Sequence, residues 1–584
     1  MNQTRWTLAV LLWLGLAACL DFSGGLEQCR TAGRCADPLS DTVDAGHDAG
    51  GGADSTPSAT HSTVVVSPSS VPADGQSIAS VTVTVLNASS RPLGGQIVTL
   101  LYSGSATPSP EMRATDVDGL AHFTLTSTHP TSGVLMATVN PGAGQVVLTT
   151  SPSLAFVPSL SVGGHLTNLT GAGLVLATTG EPDLTVPAAS TGFTFAQKLP
   201  PGTAYDVTVK HQPTAQHCIV DGGAGAIVDS DVTTIEVSCE STWAQVAAGR
   251  QHVVGLKTDG TVWAWGDNSS AQLGLGSLVS QSNTPRRLAS GFVFVAAGSF
   301  NSMAIDADGG LWVWGSGTYA QLGLGGRANQ LTPVRLVYSS GRPTRAVSLG
   351  YCHTLYLEQN GQTWVSGYNS SGQLGLGAQF WAFSPVSVWP DFTSVAAGSL
   401  HSLGLQADGG LWGWGYNTDG ETGSVDGGAT VLVPSPVAGA FVQVAAGGYH
   451  SLGLKADGTA WAWGNNDYGQ LGDLRDAGPR LEPGLMGDGF TLVAAGFFHS
   501  LGLKADGTLW AWGSCAYGQL GDGCDGGVKA PVLVGRDFAS VFGGETLSLA
   551  IKRDGTLWAW GSNQYGQLGI GVDGGLFPLP VLIR

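Results

Sequence analysis

Residues 493–513 read Val-Ala-Ala-Gly-Phe-Phe-His-Ser-Leu-Gly-Leu-Lys-Ala-Asp-Gly-Thr-Leu-Trp-Ala-Trp-Gly, and Tyr517-Gly518-Gln519-Leu520-Gly521 follows. Short apolar runs punctuated by glycine and Asp-Gly read as strands and turns. Leu492-Val493-Ala494-Ala495 is a strand of small side chains, suited to the crowded inner wall of a ring. Gly496 opens a tight loop, and His499–Lys504 forms the next strand. Asp506-Gly507 marks a hairpin, for which a type I′ turn is expected. Thr508–Trp512 is a third strand and Ser514–Gly523 a loop. Pro531-Val532-Leu533-Val534 is an outer strand, where proline is tolerated at the start or edge.

This unit recurs. Trp-Gly returns at Trp265-Gly266, Trp314-Gly315, Trp414-Gly415, Trp463-Gly464, Trp512-Gly513 and Trp560-Gly561, with Ser366-Gly367 in the one wide gap. The intervals are 49, 52, 48, 49, 49 and 48 residues. Gln-Leu-Gly keeps the same step from Gln272 through Gln321, Gln373, Gln470 and Gln519 to Gln567, and Glu421-Thr422-Gly423 fills the fourth slot. Seven copies account for the 343 residues after position 241. Four strands per copy predict a seven-bladed β-propeller over 241–584.

The repeated Val-Ala-Ala-Gly-x-x-His-Ser-Leu-Gly-Leu-Lys-Ala-Asp-Gly-Thr-Leu-Trp-Ala-Trp-Gly…Tyr-Gly-Gln-Leu-Gly resembles the regulator-of-chromosome-condensation repeat. Departures are Asn301 and Leu547 at the histidine position, Ser366 for Trp, and Glu421-Thr422 for Gln-Leu. The resemblance implies a recognition propeller. In that superfamily a secreted bacterial member inhibits β-lactamases through one ring face, and the nuclear founder exchanges guanine nucleotide on a small GTPase.

Ahead of the repeats, the composition changes. No Trp lies between Trp13 and Trp243, and sixteen lie from Trp243 onward. Val64–Val66, Val81–Val85, Ile97–Leu100 and Phe123–Leu125 are short β-type runs separated by turns such as Asp74-Gly75 and Asp118-Gly119. They predict a β-sandwich over 62–157. Ser67-Pro68…Val71-Pro72-Ala73-Asp74-Gly75 and Thr115-Asp116-Val117-Asp118-Gly119…Phe123–Ser127 resemble the invasin-type bacterial immunoglobulin-like domain, which implies a stalk module. Residues 158–240 read as a second small β domain, with Tyr205–Val209 as a strand and Gly222–Gly225 as a loop. The fold class is therefore all-β, a seven-bladed propeller behind two small β-sandwich domains.

Composition narrows the function. Charged residues are 11% of the 584, and 24 Lys+Arg face 42 Asp+Glu for a net charge of −18. Average soluble proteins carry roughly 25% charged residues. A chain this acidic argues against a nucleic-acid partner, since phosphate neutralisation needs a basic face. Met1–Arg5, the apolar run Trp6–Leu16 and Leu16-Ala17-Ala18-Cys19 have the layout of a secretory signal over 1–18. The last four residues resemble the lipobox of bacterial lipoproteins, which implies acylation of Cys19; an ordinary cut near Ala18 is the alternative. Leu20 in place of Asp implies the outer membrane or cell surface of a Gram-negative bacterium by that family's sorting habit. Ala36–His61 is acidic, rich in Gly, Ser and Thr, and poor in core formers, so residues 19–61 are expected to be a lipidated disordered tether. Membrane attachment is expected through the N-terminal lipid only.

Cysteine spacing fits export. Cys29–Cys35, Cys218–Cys239 and Cys515–Cys524 are expected disulfides, with Cys352 left over. Metal binding is the competing reading, but no C-x2-C pair or histidine cluster accompanies these cysteines. His252, His353, His401, His450 and His499 share one repeat position, where a ring of metal or proton chemistry competes with a histidine that ties one strand to a neighbouring backbone group. Asp259, Asp308, Asp408, Asp457, Asp506 and Asp554, each before Gly, read as turns, with calcium as the rival. Gly315–Ala320 matches a dinucleotide fingerprint but no helix pattern follows. The sequence nominates no catalytic residue, cofactor or metal.

Variation between copies is the remaining clue. The two residues before the histidine position differ in every copy and are often large, which singles out Arg250, Phe300, Tyr351, Leu400, Tyr449, Phe497 and Phe498 as ligand-binding candidates on loops of a rigid scaffold. Their plain alternative is a plug at the channel mouth. Phe380-Trp381-Ala382-Phe383 is a second candidate. The expected function is non-enzymatic binding of an extracellular protein or glycan by a monomer, including an enzyme-inhibitor type of interaction. The rivals are a guanine-nucleotide exchange factor, disfavoured by export, and a polysaccharide-active enzyme with a cryptic site. Cys19→Ser is expected to abolish lipid labelling and move the protein into soluble fractions; an unlabelled wild type that still sediments with membranes would contradict the anchor.

Overall fold

The computed structural model describes residues 54–142, 144–276, 279–338, 340–424, 428–473, 478–524 and 528–583. The signal segment 1–18, Cys19 and the Cys29–Cys35 pair lie outside the described residues, as does most of the tether. The described residues contain strands and turns and no helix.

The first domain packs a sheet of Thr63–Ser67, Ala79–Thr84 and Leu120–Leu125 against a larger sheet built on Ile97–Tyr102 and Thr131–Val139. Val81, Val83, Leu100, Phe123, Leu135 and Phe156 fill the space between them. The second domain has its own core around Val162, Leu176, Phe195, Ile235 and Val237. Its disulfide, Cys218–Cys239, joins directly opposed residues of neighbouring strands. The expected strand Tyr205–Val209 is broken in two. Val207 turns inward to 2% exposure, so Ala204–Asp206 pairs with Ala224–Ala226 while Thr208–His211 joins a different sheet. Part of the expected Gly222–Gly225 loop is therefore a strand.

From Trp243 the chain forms seven four-stranded antiparallel sheets in strict sequence order. In the sheet of Phe490–Ala495, His499–Lys504, Leu509–Ser514 and Val528–Gly535, the inner strand is the small one and the last strand is the outer edge. Pro531 sits where the outer ladder shifts register between Ala511 and Gly513, a bulge that needs no N–H from it. The hairpin is not type I′. Of Asp506 and Gly507 only Gly507 has positive φ, at +81°, and its N–H reaches the Lys504 carbonyl at 2.9 Å. That is a three-residue loop ending in a left-handed glycine. The Asp506 carboxylate accepts from the backbone N–H and hydroxyl of Thr508, and Asp259, Asp457 and Asp554 repeat this turn.

Five of the seven junctions between adjacent sheets carry one repeated buried relay. His450 Nε2 lies 2.8 Å from Ser500 Oγ in the next sheet, and Ser500 donates to the Gln470 carbonyl at 2.8 Å. Trp512 Nε1 donates to the same carbonyl at 2.9 Å. Because the serine proton goes to the carbonyl, the histidine must donate, which fixes the proton on Nε2. His252, His353, His401 and His499 meet Ser302, Ser402, Ser451 and Ser548 in the same way, at 2.8–2.9 Å. The expected tie thus runs to a hydroxyl and through it to the backbone. A Cβ on Gly496 would come within 2.0 Å of the His499 ring, so the glycine before the variable pair is a packing requirement.

Two departures from the repeat are compensated by a second change, whereas Asn301 at the histidine position is buried with neither amide atom partnered. Ser366 replaces the buried Trp, and Tyr356 stands where the other copies have Gly or Ala; Tyr356 is fully buried and its hydroxyl meets Ser366 Oγ at 2.6 Å. Where the last sheet meets the first, Leu547 replaces His and Val253 replaces Ser, so an apolar pair closes the ring, with Trp265 Nε1 still donating to the Gln567 carbonyl at 3.0 Å. Glu421 takes the Gln position, accepts the Asp419 N–H through one oxygen and has no partner for the other. Burial raises its pKa to about 7.

The Cys515–Cys524 expectation is corrected in form. Both residues are buried, no disulfide joins them, and the Cys524 thiol is hydrogen bonded to Cys515. Cys352 is buried, its thiol pushed up to about 11 by burial, against Gln373 Nε2 at 3.3 Å.

Burial lowers the pKa of His252 to about 4 and of the other four relay histidines to about 3, against 6.5 when unfolded. The unfolded chain therefore binds protons that the folded chain refuses below pH 6.5, so stability is present above that pH and drains as pH falls toward 3–4. Each histidine contributes a slope of about 1.4 kcal/mol per pH unit at most. Glu421, with a raised pKa, works in the opposite direction between pH 4.5 and 7. Thermal melting from pH 7.5 to 5 is expected to show a falling Tm, and His450→Leu/Ser500→Val, copying the closing pair, is expected to fold with a shallower pH dependence. An unchanged slope in that variant would contradict the relay's role.

Candidate functional site

Strand polarity sorts the loops. Inner strands run toward one end of the ring, where the short loops 249–251, 298–300, 350–352, 398–400, 447–449, 496–498 and 544–546 turn back. The long loops between third and fourth strands lie at that same end. The Asp-Gly hairpins and the links between sheets lie at the other. All seven candidate binding residues are therefore on one end, around a channel walled by the Ala-Gly pairs of the inner strands.

Five of them, Arg250, Tyr351, Leu400, Tyr449 and Phe497, line a cavity of about 410 Å3 at the channel mouth. Phe300 and Phe498 stand behind. Phe300 packs edge-on to Tyr351 at 5.9 Å and beneath Arg250, whose guanidinium is 5.4 Å from its ring. Phe498 packs on Phe497 at 4.5 Å and Tyr468 at 4.6 Å, and Tyr449 contacts Phe497 at 5.5 Å. The Tyr449–Phe497–Phe498 side is thus a self-packed wall, while the Tyr351 side is open.

Sequence reasoning missed Tyr319 and Tyr368, which complete the open side. Tyr319 lies 6.1 Å from both Tyr351 and Tyr368. A signal existed: the residue after Trp-Gly is Asp267, Ser316, Tyr368, Tyr416, Asn465, Ser514 and Ser562 in turn, large in only two copies. The second candidate stretch joins here, because Tyr368 rests on Trp381 at 4.5 Å, and Trp381 stacks on Phe383 with Arg327 at 4.6 Å from its ring. Phe380 projects into solvent at 64% exposure.

The charged residues of the cavity form one pair, Arg250 and Glu545 at 3.2 Å. Burial raises the Glu545 pKa and Arg250 opposes that shift. Burial likewise raises the phenol pKa of Tyr351 and Tyr449, so both stay protonated hydrogen-bond donors at neutral pH. The five repeat histidines do not reach this cavity, since their rings are wholly buried between sheets. What the arrangement offers is ring faces, hydroxyls and a neutralised ion pair, which suits recognition.

Comparison with known proteins agrees with this architecture. Residues 259–305 and 308–357 match the regulator of chromosome condensation (RCC1) repeat, a second description of that repeat matches 243–272 and 292–321, and an RCC1-like domain matches 337–582. Residues 61–153 match the bacterial Ig-like domain (group 1). Among solved structures, Prp20p from Saccharomyces cerevisiae is 22% identical with a TM-score of 0.52, covering 56% of this chain and 87% of its own. Human WBSCR16 is 23% identical with a TM-score of 0.50, covering 56% and 92%. These likenesses establish the shared propeller fold. The chain thus carries regulator of chromosome condensation (RCC1) repeats behind a bacterial Ig-like domain.

Proposed function

We propose that this protein is an exported, lipid-anchored surface protein whose propeller binds an extracellular protein or glycan through its aromatic end, without catalysis. The observation that carries the reading is where the stalk attaches. The second domain leads into the ring at the hairpin end: Thr242 N–H and Thr258 Oγ1 both donate to the Ala215 carbonyl, at 3.0 and 2.8 Å. Trp243 N–H reaches the Gly555 carbonyl at 3.2 Å, and Lys257, seated over Trp243 and Trp263, pairs with Glu240 at 3.2 Å. The aromatic end is therefore the end that faces away from the anchored side and is open to a ligand.

Further support is chemical. A disulfide between the stalk strands suits an oxidising compartment outside the cytosol. Half-buried Tyr and Phe with an Arg on loops of a rigid ring have the composition of binding hot spots. The repeat histidines are committed to the relay, which leaves them to structure.

Retention of the full-length protein on immobilised cell-surface extract of its own organism tests this. Tyr449→Ala/Phe498→Ala is expected to lose about 30-fold or more in affinity with a Tm within a few degrees of wild type. Val442→Ala, exposed at the opposite end, is expected to change nothing. A double variant that melts early yet is retained as well as wild type would make these rings plugs and move the binding surface elsewhere.

A further inference from the structure

The open side of the cavity carries more information than its aromatic content. Tyr319, Tyr351, Tyr368 and Tyr449 point their rings at one space of about 410 Å3, and Ser370 and Ser399 join its lining. Among the described residues, none of the four phenol hydroxyls is hydrogen bonded to the protein. The two buried tyrosines behave differently: Tyr102 donates to the Leu154 carbonyl at 2.9 Å and Tyr356 meets Ser366 at 2.6 Å. A phenol packed into a structural role finds a partner when buried. The four cavity phenols are half-buried and reach the cavity, so their hydroxyls are open to water and to a ligand that enters.

Charge selects the class of ligand. Arg250 and Glu545 face each other at 3.2 Å, so the cavity holds no uncompensated charge. An anionic ligand would compete with Glu545 for Arg250, and a cationic one would compete with Arg250 for Glu545, each weakening the pair that neutralises the cavity. Geometry selects the shape. Tyr319 is tilted 46° from Tyr351 and 38° from Tyr368, so the three rings line a bend with their faces apart instead of stacking shut. Tyr368 is braced by Trp381 behind it, which fixes one wall of that bend.

We propose that this cavity binds a neutral oligosaccharide. The proposal rests on the reading of the aromatic end as the binding end and names its ligand. A pyranose presents apolar C–H faces and a belt of hydroxyls, which matches ring faces edged by phenol and serine hydroxyls. An apolar peptide side chain would use the rings and leave the hydroxyls unpaired, at a cost. The volume falls within the roughly 300–1,000 Å3 of small-ligand sites, enough for the end or a bend of a sugar chain.

The test titrates full-length protein in detergent with an array of neutral hexasaccharides: α- and β-linked glucans, N-acetylglucosamine and mannose oligomers. A galacturonate hexamer and an apolar uncharged peptide serve as comparisons. Saturable binding of at least one neutral hexasaccharide is expected, weakened about 10-fold in Tyr351→Phe/Tyr368→Phe through two lost hydroxyls. That pair keeps every ring contact, so its Tm is expected to match wild type, and Tyr351→Ala/Tyr368→Ala is expected to remove binding. No binding to any neutral sugar, binding to the galacturonate or the peptide alone, or an unaffected Phe pair would overturn the assignment. If sugars fail while retention on cell-surface extract still depends on Tyr449 and Phe498, the saccharide falls and the binding end stands. If both fail, both fall.

Discussion

The structure depends on a loop carbonyl shared in the same way across five of the seven junctions between sheets. The peptide oxygen of Gln272, Gln373, Glu421, Gln470 or Gln519 accepts both a serine hydroxyl and a tryptophan Nε1 from the following sheet, and a histidine from its own sheet holds that serine. A buried loop carbonyl would otherwise be a costly orphan. Here it becomes the point where two sheets are locked in register while the indole fills the space between them. A ring assembled this way has little freedom at its walls, so loops at its ends can vary without disturbing the scaffold.

The exceptions support the same logic. Replacing the tryptophan by Ser366 opens a hole that Tyr356 fills from the neighbouring strand, with its hydroxyl near the same kind of carbonyl, that of Gln321, at 3.4 Å. Replacing His and Ser by Leu547 and Val253 exchanges both partners of a polar contact for apolar groups, which costs far less than removing one. Both changes fall in pairs across strands that are distant or adjacent in sequence, as packing requires and local propensity does not.

Much of the ring was legible because its repeat is long and its markers are chemically distinctive: Trp-Gly, Gln-Leu-Gly and Asp-Gly each mark a fixed place in a four-stranded unit. The residues that line the cavity were legible in part for the opposite reason, since Arg250, Tyr351 and Tyr449 vary where the scaffold repeats. Tyr319, in a loop, and Tyr368, the last residue of the strand Thr363–Tyr368, escaped because they meet at the cavity only after the sheets have folded. The histidine's partner escaped because the contact is to the next sheet, about 50 residues on, and a one-dimensional reading sees only the period. The split of Tyr205–Val209 depends on Val207 turning into a core assembled from distant strands, and the hairpin type depends on a single φ angle at Gly507 that Asp-Gly alone does not settle.

The central claim is that the end of the ring facing away from the stalk is where the partner binds. Hydroxyl-radical footprinting of the full-length protein, with and without saturating cell-surface extract, tests it most directly. The account predicts protection at Tyr319, Tyr351, Tyr368 and Tyr449, with Val442 and Trp389 at the hairpin end unchanged. Protection confined to the hairpin end, with those four tyrosines equally reactive in both conditions, would contradict it.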